Sequence, residues 1–135
     1  MSKNFLPVKI HIKEQPAIFE RFGARWTPTL LVISPEGAER HRIEGYLPAE
    51  DLLAQLELGL GHAAFARQRW AEAEQRFRKV VEQYRQNAVA PEALYWAGVA
   101  RYKAGNPTAL AETAAQFKQK YQDSLWAKKA SVWAK

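Results

Sequence analysis

Gly23 to Ile33, GARWTPTLLVI, is the stretch on which the reading of this chain turns. The corner Trp26-Thr27-Pro28 is stiff, because proline fixes its own φ near about −65° and drives the residue before it toward extended backbone. Leu30 to Ile33 then runs apolar without alternation. A run that short, launched from a rigid turn, predicts a strand over 29–33 covered on both faces, as in the middle of an α/β sheet. Downstream, Ser34-Pro35-Glu36-Gly37 carries Pro and Gly where a tight turn favours them, so a second strand over 39–44 should close a hairpin. Gly45 ends it, and Pro48-Ala49-Glu50-Asp51 opens a helix with acids at the favourable end of its dipole. Upstream, Val8, Ile10 and Ile12 alternate with Lys9, His11 and Lys13, which predicts a strand over 6–12. Between the two lies a short helix, with Ile18, Phe19 and Phe22 at helical spacing behind Pro16 and Gly23 as its stop.

The order strand, helix, Thr-Pro corner, strand, turn, strand, helix resembles the second half of a thioredoxin domain over about residues 5–58. Phe22-Gly23-Ala24-Arg25-Trp26-Thr27-Pro28-Thr29-Leu30 carries most of the likeness, and Gly45-Tyr46-Leu47-Pro48 before the last helix adds to it. The resemblance implies a cis Thr27–Pro28 peptide beside the position of the family's redox site, with Trp26, Thr27 and Pro28 as candidate partner-binding residues. Two departures matter. The family's dithiol half is absent from this chain and there is no cysteine anywhere in it, so dithiol chemistry by this chain alone is not expected. The strand that the family places between those matching 6–12 and 29–33 is missing too. Each backbone group left buried and unpaired in that gap would cost about 1–3 kcal/mol. Direct pairing of the two strands, a second copy of the chain or a separate polypeptide could repair the sheet; a homodimer or a rearranged sheet is the expectation, and this chain's being a piece of a longer protein is a further reading.

Beyond Leu52 the pattern is helical, and a shift of 37 residues superposes Gly61 on Gly98, Phe65 on Tyr102, Ala73 on Leu110, Val80 on Phe117, Tyr84 on Tyr121 and Trp96 on Trp133. A fixed period of helix pairs means stacked units. The first unit, LGHAAFARQRWAEAEQRFRKVV, is similar to the tetratricopeptide (TPR) repeat; the second is weaker, with Pro107 where the first has Trp70, and neither has that family's usual terminal proline. Helices are expected at about 49–67, 71–85, 91–104, 107–121 and 125–135, the last closing the stack with Ser124 as N-cap and Trp126, Ala130 and Trp133 packing back. The fold class is thus α/β followed by α: a partial thioredoxin-like β-α-β-β-α module over 1–58, then TPR-like antiparallel helix pairs over 59–135. The helix at 49–67 belongs to both, so no linker separates them.

With 47% hydrophobic and 25% charged residues the composition is globular. The net charge of +6 is uneven: residues 1–60 hold seven Lys or Arg against eight Asp or Glu, and residues 61–135 hold thirteen against six. A solvated helical surface accounts for this, an acidic protein partner is the sharper alternative, and nucleic acid is disfavoured because no arginine-rich run or base-stacking motif accompanies the charge. The opening MSKNFLPVKIHI has the form of neither a signal peptide nor a membrane span, so a cytoplasmic chain with no membrane partner is expected. His11, His41 and His62 lie in three different elements without metal-ligand spacing, and no phosphate loop or nucleophile elbow is present. No catalytic residue, cofactor or metal is therefore expected. The resemblance to TPR arrays instead implies peptide binding on the face of each unit's first helix, where Tyr95, Val99 and Lys103 join His62 and Ala66. The expected function is a non-catalytic, dimeric protein–protein interaction module. The alternative is a fragment of a thioredoxin-family thiol-disulfide oxidoreductase whose CxxC half lies outside this chain.

Overall fold

The computed structural model describes residues 4–11, 13–24, 28–45 and 47–134. Helix α1 (Pro16–Arg21) starts on its proline, whose missing N–H costs nothing in a first turn. It ends where Gly23 takes φ +61° and the N–H of Ala24 reaches back 3.1 Å to the Phe19 carbonyl. Strands β1 (Thr29–Ile33) and β2 (Glu39–Glu44) pair antiparallel, Leu30 opposite Ile43 and Val32 opposite His41, with an irregularity between Val32 and Ile33. The Ser34-Pro35-Glu36-Gly37 turn joins them, closed by a 2.8 Å bond from the Gly37 N–H to the Ser34 carbonyl.

Alternation places Leu30, Val32, His41 and Ile43 on one face of the hairpin and Leu31 and Arg42 on the other. The first face packs on helix α2 (Ala49–Ala66). Contact is close enough that a Cβ at Gly59 would meet Val32 Cγ2 at 2.9 Å and His41 Cβ at 3.3 Å, so the helix presents bare backbone there. On the second face the Arg42 guanidinium holds Glu39 Oε1 at 2.7 Å and donates to the carbonyls of Phe22 and Gly23. One side chain thus ties the end of α1 to the sheet.

The expected strand over 6–12 is not formed in the residues described there, 6–11, and the sheet has two strands, β1 and β2. Leu6 and Val8 are 91% and 73% exposed. Alternation marks which side chains a strand would bury, but a ladder needs a paired edge, and this segment pairs with none among the described residues. Direct pairing of the segments 6–12 and 29–33, one of the expected repairs, is not formed among the described residues. The Thr27–Pro28 peptide lies outside the described residues.

Five helical segments follow the hairpin as a stack. After α2 come α3 (Trp70–Gln83), α4 (Ala90–Lys103) and α5 (Ala109–Gln119), each packed on the one before it. Leu58, Phe77, Val80 and Leu94 are the largest fully buried side chains, so the core sits between α2, α3 and α4. Helix α5 starts at Ala109 instead of 107 because Asn106 Oδ1 accepts from both the N–H and the hydroxyl of Thr108, holding the chain in a turn. The expected closing helix over 125–135 is shorter and changes pitch. It comprises α6 (Leu125–Ala130), capped by Ser124 Oγ accepting from the Ala127 N–H at 3.0 Å, and a 3₁₀ turn over Ser131–Ala134. Ser131 sits at the change, its hydroxyl donating to the Lys128 carbonyl at 2.6 Å.

Candidate functional site

Two features gather chemistry-bearing groups: a seam of rings inside the molecule and the outer edge of β1. The seam begins on the hairpin. His41 Nε2–H donates to Gln55 Oε1 of α2 at 2.7 Å, and its ring stacks on His62 with centroids 5.9 Å apart. His62, also on α2, meets Glu92 Oε2 of α4 at 2.9 Å. Around it Phe77 and Trp96 stand edge-on at 5.1 and 5.7 Å, in the arrangement that suits the ring quadrupoles. From Trp96 the contacts run to Phe65 at 5.3 Å and to Tyr95 at 5.3 Å. Tyr95 is in turn stacked under Trp133 at 4.7 Å and lies 5.0 Å from Trp126.

Burial between hairpin and helix holds the His41 imidazole below its ordinary pKa, with the hydrogen bond to Gln55 opposing that shift and the nearby His62 adding to it. A histidine whose folded pKa is depressed binds fewer protons folded than unfolded. Its contribution to stability is present above the unfolded value, about 6.5, and is lost as pH falls through the folded one. The melting temperature should therefore drop between pH 7.5 and pH 5, above the range where carboxylates dominate, and the drop should shrink in His41→Gln. Thermal denaturation followed by circular dichroism at stepped pH measures it; an identical drop in the variant would show that His41 is not the group responsible.

Of the expected site residues, His62 and Tyr95 both meet Trp96. Trp26 and Thr27 lie outside the described residues, and Pro28 is exposed, its carbonyl accepting from the Gly45 N–H at 2.7 Å. His62 is half-buried within the seam, and Tyr95 is covered by the C-terminal Trp126 and Trp133. Val99 is half-buried on α4, whereas Ala66 and Lys103 are exposed at the last positions of α2 and α4. Sequence reasoning treated His41 as a lone histidine and passed over Gln55 and Glu92. Their separations of 14 and 30 residues from their partners carry no local signal.

The second feature is the outer side of β1 at Leu31 and Ile33, which pairs with no strand among the described residues. The bond from the Gly45 N–H to the Pro28 carbonyl and the 2.9 Å bond from the Ser34 N–H to the Ala38 carbonyl fix the phase of the hairpin. Residues 28, 30, 32 and 34 face β2, so the backbone groups of Leu31 and Ile33 point to the opposite edge. Leu30 and Ile33, at that edge, are 36% and 40% exposed. Among the described residues no group of three or more His, Asp or Glu is placed to hold a metal ion, and no helix is long and apolar enough to cross a membrane.

The hairpin backed by α2 is a mixed α/β arrangement with a two-stranded antiparallel sheet. Residues 1–60 match the family described as a thioredoxin-like domain. The chain matches no curated protein and no solved structure.

Proposed function

We propose that this chain is a non-catalytic protein–protein interaction module, a thioredoxin-like scaffold carrying TPR-like helices, and that it works as a dimer. The observation that supports it most is the apolar outer side of β1 at Leu31 and Ile33, which pairs with no strand among the described residues and so offers a template for an added one. The repeat reading is supported by two glycines 37 residues apart that play one role. A Cβ at Gly61 would meet Phe77 of α3 at 2.5 Å, and one at Gly98 would meet Thr113 of α5 at 2.1 Å, so in both units the first helix bares its backbone to the second. On the helical half, Ala66 and Lys103 are the expected residues left open to a peptide, Lys103 supplying charge for an acidic one.

The match of residues 1–60 favours one second reading, the substrate-positioning part of a thiol-disulfide oxidoreductase whose CxxC-bearing half lies upstream or in another chain. Both readings are tested on the isotope-labelled full chain. Under the first, an extended peptide with alternating Val and Thr shifts the amide signals of Leu31 and Ile33 when the chain is diluted to a monomer, and an acidic peptide shifts those near Lys103. Silence at both surfaces would overturn it. Under the second, adding a strand-CxxC-helix polypeptide confers disulfide reductase activity on the mixture.

A further inference from the structure

We infer that the strand completing the β1 edge is residues 6–11 of a second copy of this chain, exchanged reciprocally; this rests on the interaction-module reading above and names its first partner. Two unmet needs in one polypeptide point to each other. The first is the edge. β1 reads TLLVI and offers outward backbone groups at Leu31 and Ile33 beside exposed apolar side chains. β2, by contrast, reads ERHRIE, and charged side chains along a strand are what keeps an edge from pairing. The open side is therefore the β1 side.

The second need is the segment. Leu6, Val8 and Ile10 form one stripe with the period of a strand, yet the segment joins no ladder. Leu6 and Val8 are among the most exposed large apolar side chains in the molecule. Its own chain leads it away from β1. Arg76 of α3 donates to Asn4 Oδ1 at 3.3 Å at one end, and at the other the N–H groups of Glu14 and Gln15 both bond the His11 carbonyl before α1 begins. Held between α3 and a turn, the segment forms no ladder with its own β1, and the β1 of a second molecule carries no such tether. Laid there, Leu6, Val8 and Ile10 would extend the apolar face of Leu30 and Val32, and Lys9 and His11 would take the other face. Because the exchange is two-fold, each contact is made twice.

The test uses the full chain, whose lack of cysteine leaves introduced thiols unambiguous. Light scattering from micromolar to hundreds of micromolar should give a dimer. Val8→Lys with Ile10→Lys should give a monomer with the same helical circular dichroism, because both positions lie outside the core. Val8→Cys mixed with Leu30→Cys under oxidised glutathione should form the mixed disulfide dimer in preference to either homodimer. A wild-type chain that stays monomeric throughout, or a dimer that survives the double lysine variant, overturns the exchange. A monomer whose Leu31 and Ile33 amides still respond to the extended peptide overturns the exchange alone; a monomer that responds to no peptide overturns the interaction module as well.

Discussion

Phe77→Ala is expected to cost about 3–5 kcal/mol, the range for emptying a fully buried aromatic site. That is a large share of the about 5–15 kcal/mol that holds an ordinary domain together. Phe77 is fully buried, stands 5.1 Å from the His62 ring and fills the space that Gly61 leaves between α2 and α3. The loss should therefore appear in both halves of the molecule. Urea unfolding of wild type and variant measures it, and a loss below about 1 kcal/mol would mean that α2 and α3 collapse onto the vacancy. Gly61→Ala supplies a further check. In the wild-type background its Cβ would sit 2.5 Å from the Phe77 ring and must push the helices apart. In the Phe77→Ala background that Cβ enters the vacated space, so the two changes together should cost less than their sum.

The second large effect is expected at Gly98. At an uncrowded helix position, replacing Gly by Ala gains about 0.5–1 kcal/mol, because glycine pays more backbone entropy on folding. Here the new Cβ would lie 2.1 Å from Thr113 Oγ1 and 2.8 Å from Thr113 Cβ. Thr113 has little room to retreat, being 2% exposed with its hydroxyl donating to the Ala109 carbonyl at 2.7 Å. Overpacking of this kind costs about 1–3 kcal/mol, so Gly98→Ala should destabilise. The sign is the diagnostic, and a gain in melting temperature would show that α4 and α5 are less tightly apposed. Thr113→Ala in the same background removes the 2.1 Å clash but leaves the one at Cβ, so it should restore part of the loss.

Much of the fold was legible in local patterns. The strand at 29–33 follows from an apolar run between a proline corner and a Pro-Gly turn, and its partner at 39–44 from the length of that turn; these constraints act over a few residues and survive in any tertiary setting. The helical half was legible for the same reason, with the starts of α2 and α6 marked by Pro48 and Ser124. What failed is what depends on a distant partner. Residues 6–11 alternate as a strand does, but pairing is a property of two segments, and among the described residues none pairs with this one. The change to 3₁₀ pitch at Ser131 rests on a side chain bonding back to its own turn, which periodicity does not register.

The site was less legible than the fold. Tyr95 is a binding candidate only through the resemblance to TPR arrays; Trp133, expected to pack back, lies over it, a contact between segments 38 residues apart for which the sequence carries no pairing signal. His62 was singled out for its face and turned out to matter for its neighbours. Its stacking on His41 and its bond to Glu92 join hairpin, α2 and α4 at one point. Three elements meeting through polar rings leave no sequence signature, because each residue alone reads as surface.

Gly59 and Gly61 stand two residues apart on α2, and at about 100° per residue they look in nearly opposite directions, one at the hairpin and the other at Phe77. The border between the two halves of this molecule is therefore an angle around α2, not a place along it. No cut or insertion in the sequence separates them, and a recombination event that brought a different helical stack to this hairpin would have to preserve one side of a helix while rewriting the other.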